Sequence, residues 1–377
     1  MFRIFYAEKD ATLYESFPTY NTGLDEILEV GKRLGTDGST LLKSRAVVKF
    51  DMTEISASLS KYSKTVDDCK FVLQLFTDQA KNLPSEYTIS LKMLGQNWVN
   101  GTGYLNEATT DGVCWNTPAS ASSWISGSQQ IEIGTSDLYI SGSGTGGNYL
   151  YYSGSGTSPV LVTSESFSYR TTDLNVDVTE QIKIWLSGSN DNVIPNYGFL
   201  LQYSDADEQD TSVSGYVRYF SRDTHTIYVP KLTMYWDNSA FTTGSLTSVN
   251  LESYVIYTDV KPSYKDSEIS KIRIYARDKY PQKSPTNLFP IETVKYLPSA
   301  SYYSVVDAAT DEVIIPYDNI YTKVSCDSTS NYIHVDMNGF MPERYYRLQL
   351  KIIDGFTEQY IDDQIYFKVV RWVIAFH

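Results

Sequence analysis

The side chains best suited to ligand chemistry in this 377-residue chain are aromatic. Trp124 closes the small, polar stretch Ala119-Ser-Ala-Ser-Ser-Trp124, which reads as an exposed loop. Tyr149, Tyr151 and Tyr152 stand in the Ser/Gly-rich run SGSGTGGNYLYYSGSGTSP. Aromatic faces stack on sugar rings and also anchor protein interfaces, so these four are the candidate glycan contacts. The three tyrosines equally fit the buried side of a strand. Trp98 and Trp115 share the chemistry, but Trp115 suits core packing better, and Trp185 and Trp236 lie in core-like patterns.

Catalytic chemistry finds no comparable foothold. His225, His334 and His377 are the only histidines, and no nucleophile elbow, HExxH or kinase-type motif surrounds them. No catalytic residue is therefore assigned, and the chain reads as a non-enzyme; paired carboxylates for glycoside hydrolysis leave no sequence signature to follow. The acidic run Ser204-Asp-Ala-Asp-Glu-Gln-Asp210 alternates Asp205 and Asp207 as a calcium loop does. However, it has Asp210 where such a loop needs glycine and Tyr216 where it needs glutamate. A solvated acidic loop is expected there, with no metal site. Cys69, Cys114 and Cys326 form no CxxC pair, so neither a zinc site nor a disulfide framework is expected. The glycine-rich run lacks the Gly-Lys-Ser/Thr of a phosphate loop and reads as a flexible surface loop or hairpin.

The bulk composition points to strands. Tyrosine, at 32 residues, is far above average, and Lys/Glu-rich helical segments are nearly absent; aromatic and β-branched side chains suit a half-buried pleated surface. A net charge of −14 and a pI near 4.7 exclude nucleic acid as the main ligand, because neutralising phosphates needs clustered Lys and Arg. No run of about 18 apolar residues is present to span a membrane as a helix. The N-terminal MFRIFYAEKD lacks the apolar core of a signal peptide, so folding in a reducing cytoplasm is expected.

The positioning elements can be read in order. Ser44–Ile55 alternates Ala46, Val48 and Phe50 against Arg45, Val47 and Lys49, a strand with one buried face. Asp51 ends it, free to turn its carboxylate onto nearby backbone N–H groups. Ser56 to Asp68 reads as a polar connection. CKFVLQLF from Cys69 and YTISLKML from Tyr87 are strongly apolar strands. One helix is expected, from Asp177 as N-cap through Val178, Ile182 and Trp185 to Gly188, with Glu180 as the capping-box partner. Strands follow around Tyr197–Tyr203, Tyr216–Phe220 and Pro230–Trp236. Polar Asp237–Ser245 reads as a linker. Beyond it, seven short strands separated by Pro, Asn, Asp and Gly suggest a second sandwich.

Residues 1–237 resemble the DNRLRE-type β-sandwich domains, jelly rolls related to carbohydrate-binding modules. The resemblance rests on Asp10-Ala-Thr-Leu-Tyr14, Pro18-Thr-Tyr-Asn21-Thr-Gly23, Ile27-Leu-Glu-Val-Gly31 and Ser44-Arg45-Ala-Val-Val-Lys-Phe50-Asp51. It continues through Val113-Cys-Trp115-Asn116-Thr-Pro118, Val176-Asp177-Val178-Thr179, Asn196-Tyr197-Gly198-Phe199, Phe220-Ser221-Arg222-Asp223 and Pro230-Lys231-Leu232. It implies a jelly-roll β-sandwich with one short helix, for which no cofactor is required although jelly rolls of this kind can hold a structural calcium. Residues 246–377 are expected to form an immunoglobulin-like β-sandwich. Ile272-Arg-Ile-Tyr-Ala-Arg277-Asp278 and Tyr366-Phe-Lys-Val-Val370-Arg371 resemble accessory structural proteins of tailed-phage virions.

Together these readings predict an all-β, non-enzymatic structural protein of a tailed bacteriophage. It would decorate capsid, collar or tail in multiple copies per particle, in contact with other virion proteins and with neither nucleic acid nor membrane. Synthesis in the host cytoplasm followed by residence in the virion accounts for an extracellular-type fold without an export signal. The rival expectation is a carbohydrate-binding module attached to a surface glycan.

Overall fold

The computed structural model describes residues 1–371 apart from 106, 121, 132–136, 156–158, 169–171, 188–193 and 291–292. His377 and the expected helix stop at Gly188 lie outside the described residues. Strands dominate and helices are few and short, which makes the protein an all-β sandwich. Two compact units divide it: Phe5–Met234, and Met1–Ile4 with Tyr235–His377.

The first unit is built on an eight-stranded sheet. Its order is Val162–Ser168, Glu86–Met93, Phe199–Tyr203, Leu41–Lys49, Ile27–Leu34, Gly215–Phe220 and Thr77–Lys81, with Lys9–Tyr14 also paired to Leu41–Lys49. Cys69–Leu75 and Leu174–Asp177 pair antiparallel in a second sheet. Leu41–Lys49 is the strand on which the alternation was read, but Ala46, Val47 and Val48 are all fully buried. Covered on both faces, it shows a continuous apolar run at its centre rather than a two-sided pattern.

Three helices occur among the described residues where one was expected. The first, α1 (Met52–Lys61), occupies part of the expected polar connection. Asp51 caps it by accepting the Thr53 N–H at 2.8 Å, and Ile55 and Leu59, one turn apart, form its buried stripe. Serines between them disguise the helical period. The expected helix is α2 (Thr179–Ser187), with Ile182 and Trp185 buried and the Trp185 ring edge-on to Phe199 at 4.9 Å. Asp177 does accept the Thr179 N–H at 3.0 Å, while Glu180 binds Lys183 at 3.1 Å instead of closing a capping box. The third, α3 (Asp205–Gln209), replaces the expected acidic loop.

The second unit packs a four-stranded sheet, Tyr254–Thr258, Ile269–Asp278, Asn331–Asp336 and Ser325–Cys326, with a five-stranded one. The latter runs Ser263–Lys265, Thr357–Val370, Arg344–Asp354, Ser301–Asp307 and Val313–Ile315. Met1–Ile4, expected in the first domain, group here because their side chains do. The Phe2 ring meets Phe340 edge-on at 5.4 Å, and Gly339 leaves no room for a Cβ against Ile4. Asp237–Ser245 is held as well, since Cys326 donates its N–H to Ala240 O at 2.8 Å and accepts from Thr242 N–H through its own carbonyl at 2.9 Å.

Candidate functional site

The four aromatic candidates separate in the structure. Trp124 is 2% exposed and belongs to a buried cluster with Ala11, Leu13, Val47, Leu94, Trp98, Val113, Trp115 and Leu200. It is a core residue, not a loop contact. The long connection between Met93 and Ser126 folds over the Val47 side of the central strand and drives its tryptophans inward. Their polar edges are met there: the indole N–H of Trp124 donates to Cys114 O at 3.1 Å and that of Trp98 to Tyr197 O at 2.8 Å.

Asn21 ties this connection down. Fully buried, it donates to Asn100 O at 2.7 Å and Val113 O at 2.8 Å and accepts from Gly103 N–H at 2.8 Å and Gly23 N–H at 3.2 Å. Gly101 (φ +78°) lies so close that a Cβ there would meet the Asn21 amide. The Asn21 amide fills that space, so position 101 has room only for glycine.

Tyr149, Tyr151 and Tyr152 lie on the strand Asn148–Tyr152, which forms a three-stranded sheet with Leu138–Ser143 and Ser126–Gln130. The glycine-rich run is thus a hairpin, one of its two expected forms. All three rings are half-buried. Tyr151 stacks on Tyr139 at 5.4 Å between centroids, and its hydroxyl meets Ser128 Oγ at 2.5 Å. Tyr149 lines a cleft, and the Lys92 ammonium sits over its ring at 4.0 Å.

That cleft encloses about 420 Å³, with Lys43, Arg45, Tyr149, Gln202, Asp205 and Glu208 in its wall. Strand period places Lys43 and Arg45 on one face of Leu41–Lys49, opposite α3. The short helix is pinned at both ends. Ser204 Oγ accepts the Asp207 N–H at 3.1 Å, and the buried Lys32 ammonium donates to the carbonyls of Asp207 at 2.5 Å and Asp210 at 2.6 Å. A cation at the C-terminal carbonyls is favourably placed. The carboxylates are paired, Glu208 nearly buried and Asp205 largely exposed. Glu208 takes two bonds from Arg45, at 2.9 and 2.6 Å, and Asp205 takes one from Lys92 at 2.7 Å and one from Gln202 Nε2 at 3.0 Å. Asp207 accepts the Thr88 N–H at 3.0 Å. Among the described residues no cluster of three or more His, Cys, Asp or Glu is placed to hold a metal ion. The Lys43/Arg45 pair was visible in the sequence as two cations two residues apart on a strand; its match to Glu208, 163 residues on from Arg45, was not.

The second unit carries a different surface. The outward side of the hairpin Arg344–Asp354/Thr357–Val370 pairs Tyr345 with Lys368, Arg347 with Tyr366 and Lys351 with Tyr360 across the strands. Tyr345, Tyr360 and Tyr366 are all exposed, and Phe356 in the turn is fully so. Arg347 is held at 2.9 Å by Asp311 and at 3.4 Å by Asp362, and Lys351 at 2.9 Å by Glu358. His334 stands edge-on to Tyr332 at 5.2 Å, its pKa lowered by burial and then by Lys271; His225 is exposed, 3.7 Å from Glu26.

No family model matches this chain, and no curated protein does. Among solved structures, the adhesin domain of Epf from Streptococcus pyogenes aligns over 97% of this chain and 92% of its own, at 8% identity and a TM-score of 0.18. A β-glucuronidase from Parabacteroides merdae aligns over 80% of this chain and 28% of the enzyme, at 10% identity and a TM-score of 0.17. Superpositions this loose do not establish a shared fold.

Proposed function

We propose that the protein is a non-enzymatic structural component of a tailed-phage virion, decorating capsid, collar or tail through protein–protein contacts. The observation that supports this most is the outer face of the hairpin Arg344–Asp354/Thr357–Val370, where Tyr345, Tyr360 and Tyr366 stand exposed between Arg347, Lys351 and Lys368. Tyrosine and arginine are the residue types enriched in protein interfaces. Their ion-paired neighbours hold the face in one arrangement, which lowers the ordering cost of docking. A fully exposed phenylalanine at the hairpin tip, Phe356, adds an anchor suited to a pocket on another particle protein.

Mass spectrometry of purified particles tests the reading. The chain is expected in fixed stoichiometry with the other particle proteins, and a Tyr345→Ser/Tyr360→Ser variant is expected to fold yet fail to be incorporated. Absence of the chain from particles, or undiminished incorporation of the variant, would overturn it.

A further inference from the structure

The two sheets of the second unit end in four edges, and three of them are very short. Ser325–Cys326 has two residues and is further covered by residues 240–242, while Ser263–Lys265 and Val313–Ile315 have three each. The fourth edge is Tyr254–Thr258, in which every residue is aromatic or β-branched and none is charged, glycine or proline. Exposed edges are ordinarily protected by shortness, charge, proline or a bulge. This strand carries no charge or proline, and its pairing to Ile269–Asp278 runs without a register shift.

The ladder shows which backbone groups the edge leaves open. Lys279 donates its N–H to Ser253 O at 3.1 Å, and Asp259 donates its own to Arg273 O at 3.2 Å. Alternate residues make the bonds in an antiparallel pair, so Val255 and Tyr257 bond to Arg277 and Tyr275 in the same ladder. Tyr254, Ile256 and Thr258 therefore turn their N–H and C=O groups outward. Among the described residues no backbone partner meets them.

Those three residues are self-complementary. A copy turned about a two-fold axis through Ile256 sets Ile256 against Ile256 and Tyr254 against Thr258, all of them residues with open groups. Each such pair exchanges two N–H···O bonds. On the outer face Tyr257, 46% exposed and stacked on Tyr275 at 4.9 Å, meets Val255 of the second copy. The nearest charges, Glu252 and Asp259, fall on opposite faces of the strand, so like charges are not set side by side.

We infer that two copies of this chain join antiparallel through Tyr254–Thr258, merging two four-stranded sheets into one. A second copy fits because the open groups repeat symmetrically and bring together only uncharged side chains. A strand edge buries less than the roughly 800 Å² per partner of a standard interface, so the dimer is weak and depends on concentration. The edge is distinct from the outer face of the hairpin, and the inference does not rest on the virion reading.

Sedimentation equilibrium of the full-length chain, from about 1 to about 200 µM, is expected to show a monomer–dimer equilibrium. Thr258→Pro removes an outward N–H that makes no bond to Ile269–Asp278, and Tyr257→Lys sets a charge against the facing Val255. Each should weaken the dimer about tenfold or more. Tyr360→Ser on the hairpin should leave it unchanged. The double variant Val255→Cys/Tyr257→Cys, whose positions face each other across the two-fold axis, should become a covalent dimer on oxidation, since Cys69, Cys114 and Cys326 are all buried. Should Thr258→Pro fail to fold, Tyr257→Lys, at an exposed position, and the cysteine variant decide the matter. A chain that stays monomeric throughout, a dimer that Tyr360→Ser weakens and Tyr257→Lys does not, or oxidised cysteine variants that stay single would each overturn the inference.

Discussion

The indole N–H of Trp124 donates to the backbone carbonyl of Cys114 at 3.1 Å, from a side chain that is almost wholly buried. The bond binds the end of the long Met93–Ser126 connection to its middle, with the ring packed among Trp98, Trp115 and Val47. Trp124→Ala should therefore lower the stability of the first unit by about 3–5 kcal/mol, the cost of emptying a large aromatic site in a packed core. Urea denaturation measures this. A loss below about 1 kcal/mol would return Trp124 to the surface.

Asn21→Ala removes the partner of four backbone groups at once: Asn100 O, Val113 O, Gly23 N–H and Gly103 N–H. Buried groups left without partners cost about 1–3 kcal/mol each, so a loss of at least about 3 kcal/mol is expected. Amide exchange should show the residues around Gly101 and Gly103 opening well before the sheet strands. Uniform exchange across the unit would contradict this.

Asp10 gives stability a pH dependence. Burial pushes its carboxyl up to about 7, with Asp223 adding to the rise and the Arg222 N–H at 2.8 Å opposing it. The folded state then binds a proton that the unfolded chain, titrating near 3.8, has already released. Stability should fall as pH rises from about 4 to about 7 and level off above, by at most roughly 4 kcal/mol from this group. Asp10→Asn, which keeps the acceptor oxygen, should flatten that part of the curve in thermal melts across the range. An unchanged slope would show that Asp10 ionises normally.

Phe356 is fully exposed, and Tyr360, also exposed, makes only surface contacts, its hydroxyl donating to Glu358 at 2.8 Å and its ring meeting Tyr317 edge-on at 5.8 Å. Phe356→Ser and Tyr360→Ser should each change unfolding free energy by no more than about 0.5 kcal/mol, as surface substitutions do. Losses above about 2 kcal/mol in chemical denaturation would mean that the hairpin face is covered within the folded chain.

Much of the architecture is legible in the sequence wherever side-chain period and burial agree. Cys69–Leu75 alternates buried and half-buried residues as an outer strand should, and Asp51 and Asp177 both turn back onto backbone N–H groups. The reading fails where a distant segment changes what a face meets. Val47 was assigned outward with Arg45 and Lys49; the tryptophan-bearing connection covers it, and the same cover buries Trp124. In α1, Ser56, Ser58 and Ser60 gave the helix the composition of a loop. The cleft was legible only in halves, since the spacing of Lys43 and Arg45 is local and their pairing with Glu208 is not. Tyr149 was among the candidates, whereas Asp205 was weighed only as a calcium-loop residue and Gln202 not at all, because their place in the cleft depends on α3 lying against the sheet.

The position of Asn21 also sets an order of events in folding. Its partners Asn100 and Val113 lie 79 and 92 residues away along the chain. During synthesis this amide must wait, unsatisfied or in water, until well over a hundred residues have been made. Contacts that close such long intervals are entropically expensive to reach and form slowly. The tryptophan cluster over Val47 cannot close before that length of chain has been made. Until then the central strand would present an uncovered apolar side, and the nascent chain would be most prone to aggregation in that interval.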